Sequence, residues 1–218
     1  MMFDTHAARE QMISQQLRPW GILDEQILNA VRQVAREQFV PDGYQSIAFA
    51  DQNIPLPHAQ VMLAPKLEAR ILQEMRIQST DQVLLIGASN GHLAACAAQL
   101  AAKVRVTETH RDLADQARRN LQATTSNNVY VDNVDALQLN LDKAYDVIIV
   151  IGSLPQSEAR FEQALTLGGR LFVVIGQSPV MAAMKITRTG EQTWTRTTLF
   201  ETDIPPLSNT ATPSKFLF

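Results

Sequence analysis

The sequence holds a single cysteine among 218 residues, Cys96, which excludes an intrachain disulfide framework and a cysteine-rich metal site. Cys96 sits in the alanine-rich run from Ala94 to Ala98, where the expected role is that of a small buried helix residue. No metal centre is expected from the histidines either. Basic charge is scarce: 19 Lys and Arg face 22 Asp and Glu, for a net charge of -3. No basic stripe interrupts that balance, so nucleic acid is not an expected partner. Nothing approaches about 18 uninterrupted apolar residues, which leaves no membrane-spanning helix to expect. The opening residues MMFDTHAARE lack a signal-type apolar stretch, and a cytoplasmic protein is expected. With hydrophobic residues at 45%, the chain is apolar enough to fold and long enough for one well-buried core.

What the sequence does have is a set of short apolar runs. Val83 to Ile86, Val147 to Ile151 and Leu171 to Ile175 are each followed at once by glycine: Gly87, Gly152 and Gly176. Continuous β-rich runs of this kind mark strands covered on both faces. Val104 to Glu108 and Val129 to Asp132 supply two more. Between them, Asp112 to Gln122 and Ser157 to Leu167 carry apolar residues four apart, and the second stretch stops at Gly168-Gly169, a usual helix exit. Strands alternating with helices predict βαβ units and a mostly parallel sheet. After Gly176, Met181 to Arg188 and Thr193 to Glu201 flank Thr189 to Gln192 as an antiparallel hairpin. Residues 1–65 read as a helical and loop-rich attachment to the same single domain, with residues 66–218 as its core. There, Leu23 to Val34 is an expected helix, with Asp24 as N-cap and Leu23 stapled on Leu28.

Ligands in an open α/β sheet bind beyond the carboxyl ends of the strands. Gly87-Ala88-Ser89-Asn90-Gly91 is the first such end, and its tight turn leads into an apolar helix. Glu108 follows Gly87 by 21 positions, near the spacing of about 20 at which an acid meets a ribose diol. Asp135 follows a third strand, in position for an adenine edge. An adenosine-containing cofactor is therefore expected. A dinucleotide is disfavoured, because its fingerprint wants glycine where Ser89 and His92 stand.

Several blocks, in order, resemble one family. Met12-Ile13-Ser14-Gln15-Gln16-Leu17-Arg18 with Gly21-Ile22-Leu23-Asp24 is similar to its opening. Arg36 to Pro41, Ala48 to Asp51 and Ile54 to Pro57 follow, then Gln60 and Pro65. Tyr145 to Ile148, Leu167 to Leu171 and the pair Pro206-Leu207 complete the match. On these residues the chain resembles the protein-L-isoaspartate O-methyltransferases. The resemblance implies a Rossmann-like methyltransferase fold and transfer of a methyl group from S-adenosylmethionine to isoaspartyl carboxylates in damaged proteins or peptides. It implies that Gly87, Ala88, Ser89 and Gly91 lie along the methionine part of the cofactor, that Glu108 takes the ribose, and that Asp135 with Ala136 takes the adenine. His58, Gln60 and Leu63 fall where the family contacts its substrate. No side chain is assigned a catalytic role, since an ionised carboxylate needs no general base.

The sequence also departs from the family. Leu85 replaces an acid two residues before the first glycine, and Ser89 replaces a glycine. Val61, Met62 and Leu63 stand for a polar threonine-isoleucine-serine run, so an apolar surface is expected there. After the third strand, Val134-Asp135-Ala136 keeps only the acid of a glycine-aspartate-glycine motif. His92, at the start of the helix after the glycine loop, is expected to line the cofactor pocket. Two alternatives stay open on this ground: a methyltransferase with a different acceptor, and a non-catalytic relative that binds a nucleoside or a protein partner. The apolar tail Lys215-Phe216-Leu217-Phe218 has no assigned role.

Overall fold

The structure is a computed structural model, and it describes residues 4–124, 127–142 and 144–210. The tail from Lys215 to Phe218 lies outside the described residues. The helices are α1 (Thr5–Met12), α2 (Glu25–Gln33), α3 (Pro65–Met75), α4 (His92–Ala98), α5 (Arg111–Gln122) and α6 (Ala159–Gln163). A two-residue pair, β1 (Ile54–Pro55) and β2 (Val61–Met62), stands apart from the main sheet. The main sheet is built from β3 (Gln82–Ile86), β4 (Lys103–Thr107), β5 (Val129–Asp132), β6 (Tyr145–Leu154), β7 (Leu165–Gln177), β8 (Val180–Gly190) and β9 (Thr193–Glu201).

Its strand order is β5-β4-β3-β6-β7-β8-β9. The first five strands run parallel, and β8 and β9 add antiparallel pairs. The fold is thus α/β and Rossmann-like, as expected. The expected central runs are strands because both their faces are covered: Val83 to Ile86 and Val147 to Val150 are all buried. Strand order reverses at β3, so the switch point at which α/β sheets place ligands lies at its carboxyl end. One apolar cluster extends from Met12 through β3, β4 and β6 to Ile204, joining the N-terminal residues to the sheet. No helix among the described residues is long and apolar enough to cross a membrane.

Three local expectations are corrected. The helix expected over Ser157 to Leu167 is only Ala159–Gln163, because Leu165 enters β7 and pairs with Tyr145. Gly168 and Gly169 therefore lie in a strand, where a Cβ on Gly169 would come within 2.9 Å of the Thr166 carbonyl oxygen. Asp24 caps α2 as expected, its Oδ1 accepting from the Gln26 amide at 2.9 Å. The staple, however, does not form: Leu23 is 67% exposed, because its backbone is turned to donate to Gln73 Oε1. The hairpin connection is the two residues Glu191 and Gln192, shorter than the four expected.

Candidate functional site

At the carboxyl ends of β3 and β4 lies a small cavity of about 20 Å³. Its walls include Gly87, Glu108, Asp135 and Ala136, closed on the outer side by Gln60, Leu207 and Ser208. Gly87 is required twice over. Its φ is +93°, and a Cβ there would meet the Ile151 carbonyl oxygen at 2.9 Å, so any side chain would force the turn away from the sheet. Glu108 is buried, with Oε2 accepting from the Ala88 amide and Oε1 from the His110 amide, each at 2.8 Å. Its carboxylate thereby sets the shape of the glycine loop. Asp135 Oδ1 accepts from the Leu137 amide at 2.9 Å, while Oδ2 accepts from Gln138 Nε2 at 3.1 Å and Asn209 Nδ2 at 3.0 Å.

Behind the glycine loop is a buried polar clamp. Arg36 is fully buried; its Nε donates to the Ala48 carbonyl at 2.8 Å, Nη2 to the Leu63 carbonyl at 2.6 Å and Nη1 to Glu68 at 2.5 Å. His92 Nδ1 donates to the same Glu68 oxygen at 2.6 Å. Burial pushes the Glu68 carboxyl up, but the Arg36 guanidinium and His92 outweigh it and hold it below the ordinary value. Cys96 Sγ lies 3.7 Å from His92 Nε2, and burial, aided by the Glu68 charge, holds that thiol well above its ordinary range. It is therefore a poor nucleophile. Asn90 Nδ2 donates to the Phe39 carbonyl at 2.7 Å, and Asn120 Nδ2 holds the Asn90 carbonyl at 2.9 Å.

Ser89 takes the left-handed conformation, with φ +49°. That costs a non-glycine residue on the order of 1 kcal/mol. Its Oγ donates to the Val61 carbonyl at 3.2 Å, which offsets part of that cost and ties the glycine loop to β2. Two of the family departures thus meet in one contact. The strain falls on Ser89 itself.

In front of the cavity, residues 203–210 form a strap. Leu207 N donates to the Ser153 carbonyl and Ser153 N to the Pro205 carbonyl, both at 2.9 Å. A Cβ on Gly152 would lie 2.9 Å from Leu207 Cα, so the close approach of the strap depends on glycine there. His110 Nε2 is hydrogen-bonded to Ser208 Oγ at 2.9 Å. The His110 ring stacks on His58, with centroids 3.9 Å apart and planes within 3°, and His58 Nε2 donates to Asp112 at 2.9 Å. That hydrogen bond, before all else, lowers the Asp112 carboxyl from its ordinary value. Outside the strap lies a larger groove of about 710 Å³, lined by His58, Gln60, Ser153, Gln177, Met181 and Asp203 among others. Gln60, Leu207 and Ser208 line both spaces.

Of the residues singled out from sequence, Gly87, Glu108, Asp135 and Ala136 line the cavity, Gln60 lines cavity and groove, and His58 lines the groove. Ala88, Ser89 and Gly91 belong to the loop beneath, with Ala88 and Ser89 facing inward. Leu63 is not brought to the site: its side chain is in the core, as is that of Met62, so the expected apolar surface is absent. His92 likewise points away from the cavity into the Arg36 clamp, correcting the expectation that it lines the pocket. Sequence reasoning missed His110, Ser208, Asn209 and the Arg36–Glu68 pair. Only Pro206-Leu207 signalled that the C-terminal segment matters.

Residues 7–210 match the family model described as protein-L-isoaspartate(D-aspartate) O-methyltransferase. The chain is similar to the protein-L-isoaspartate O-methyltransferase of Koribacter versatilis, 36% identical over 91% of this chain and 90% of that one. It is also similar to that of Herpetosiphon aurantiacus, at 35% identity over 91% and 89%. Among solved structures, it resembles a protein-L-isoaspartate O-methyltransferase from Plasmodium falciparum in complex with S-adenosyl-L-homocysteine. The TM-score is 0.80 at 19% identity, over 94% of this chain and 98% of that one, a likeness of fold.

Proposed function

The chain belongs to the protein-L-isoaspartate O-methyltransferase family, and from that premise we propose that it methylates the free α-carboxylate of isoaspartyl residues in proteins and peptides, with S-adenosylmethionine as donor. The observation that carries this reading is the pairing of two spaces. A cavity walled by Gly87, Glu108 and Asp135 shares Gln60, Leu207 and Ser208 with a groove large enough for a peptide side chain.

The donor set fits the donor molecule. Glu108 and Asp135 are carboxylates set to accept from a ribose diol and an adenine amine, and Gly87 lets the backbone come close to a ligand. Ala88, Ser89, Gly91 and Ala136 complete the proposed cofactor contacts through the loop and wall they form. When bound, S-adenosylmethionine supplies an electrophilic methyl group on a sulfonium. The acceptor carboxylate is ionised at neutral pH and needs no base. The protein's task is then orientation and exclusion of water: Gln60 stands where cavity and groove meet and offers an amide to the acceptor, with His58 at the groove's edge. The strap walls the transfer zone from solvent.

A second reading, transfer to an uncharged acceptor, draws on one observation: no Lys or Arg lines the groove among the described residues, whereas Asp203 does. The same lack of cations speaks for a protein rather than a nucleic-acid partner. A chain whose lone cysteine is buried makes no demand on an oxidising compartment, in keeping with the cytoplasm. The test is transfer of radiolabelled methyl to an isoaspartyl peptide and to its aspartyl counterpart. Base-labile label on the isoaspartyl peptide alone is expected. Base-stable label, or none, would overturn the reading.

A further inference from the structure

The groove of about 710 Å³ is far larger than one acceptor carboxylate needs, so residues on either side of an isoaspartyl enter it too. Among the described residues that line it, Asp203 carries the only fixed charge, and His58 is the only other group that titrates. His58 is committed to Asp112, at 2.9 Å. Asp203 is exposed, and no cation pairs with it among the described residues. Its Oδ2 accepts from Ser178 Oγ at 2.8 Å, which ties the carboxylate between the ends of β7 and β9. Oδ1 accepts from none of the described residues. A side chain steadied in this way has already given up part of its rotamer freedom, so pairing with a ligand costs it less.

The acceptor makes this asymmetry matter. An isoaspartyl residue brings an ionised α-carboxylate into a groove with a negative wall and no Lys or Arg. Like charges repel in that space, and a basic residue carried by the substrate itself offsets the repulsion. On the premise of the function proposed above, we infer that Asp203, steadied by Ser178, is a specificity subsite that selects isoaspartyl residues with a lysine or arginine close by in sequence. An exposed ion pair is worth up to about fivefold in an equilibrium, and a glutamate in the same place is repelled instead. Asp203 meets a part of the substrate that does not react, so its effect falls on KM rather than kcat.

The experiment measures methyl transfer to isoaspartyl peptides that carry Lys, Gln or Glu one or two residues to either side of the isoaspartyl. It uses the wild-type protein, Asp203→Asn and Asp203→Lys. Asp203 is exposed, so neither change is expected to unfold the chain, and melting curves check this. On at least one side, the wild-type KM is expected to rise in the order Lys, Gln, Glu. The extremes should lie about three- to twentyfold apart, and the spread should narrow at high salt. Asp203→Asn is expected to shrink the spread below about twofold, and Asp203→Lys to reverse the order. Equal KM for the three peptides, or an order that survives in Asp203→Asn, would overturn Asp203 as the subsite while leaving the methyltransferase reading intact. A surviving order would point instead to the net charge of -3. Failure of the wild type to methylate any of the peptides would sink both.

Discussion

Two histidine–carboxylate pairs flank the candidate cofactor site, and they differ in almost everything but chemistry. Behind the glycine loop, His92 and Glu68 meet at 2.6 Å with side chains 3% and 4% exposed, and Arg36 closes the cluster. In front, His58 and Asp112 meet at 2.9 Å with side chains 41% and 56% exposed. Both carboxyls are held below their ordinary values, yet the consequences are opposite. A buried pair is costly to break, because each partner left behind is a charge without water. An exposed pair is worth little, since solvent replaces whatever is lost. The rear of the site is therefore a fixed frame, holding the Leu63 and Ala48 carbonyls and α4 in place. The front pair is held by contacts that water can replace.

That contrast predicts a graded set of responses. The largest belongs to Arg36→Ala, which strands Glu68 and two backbone carbonyls in the core. It is expected to destabilise the fold by about 3–5 kcal/mol in urea unfolding, and a cost under 1 kcal/mol would break the distinction between rear and front. Next comes Asn90→Ala, which leaves the buried Phe39 carbonyl without its donor. About 1–3 kcal/mol of stability should go, together with a higher KM for the donor as the glycine loop loosens.

Acid sharpens the comparison further. Because the folded Glu68 carboxyl lies below its unfolded value near 4.5, its contribution is fully present above that pH. It is lost as pH falls through the folded value. Wild-type protein should therefore lose more stability between neutral pH and strong acid than Glu68→Gln does, in unfolding measured across pH. Parallel curves would contradict the assignment. A small effect is expected from Asp112→Asn, under about 1 kcal/mol at neutral pH. A loss as large as that of Arg36→Ala would mean that the front pair is part of the frame.

Ser89→Gly tests the join between the two regions. It removes left-handed strain of about 1 kcal/mol and a hydrogen bond of similar net worth. Stability should hardly change, while β2 loses its tie to the glycine loop. A shift in donor KM without a shift in melting temperature is the expected signature.

The parallel sheet was legible because β3, β6 and β7 each carry an uninterrupted apolar run ending near a glycine, a pattern that depends only on neighbours in sequence. Gly87, Glu108 and Asp135 were legible for the same reason: the topology carries strand ends to one edge, and spacing alone finds them. The helix α1, with its mostly polar sequence THAAREQM, carries no such local signal. Nor does α6, whose end is decided by Leu165 pairing with Tyr145 across the sheet. His92 and Leu63 were read as facing a ligand, and their direction depends on Arg36, 56 and 27 positions away. The strap lies 98 positions from the His110 it binds, beyond any window of sequence pattern. Contacts of that reach are settled by packing, and they are also the ones that set access to the site.

The most direct test of the account is titration of S-adenosylhomocysteine into wild-type protein and Glu108→Ala. The account predicts clear binding by the wild type, with a melting temperature that rises as ligand is added, since about 2.7 kcal/mol is gained at a hundredfold excess over Kd. It predicts at least tenfold weaker binding by Glu108→Ala. Equal affinity in the two proteins would contradict the placement of the cofactor, and no binding at millimolar ligand by the wild type would contradict the methyltransferase reading itself.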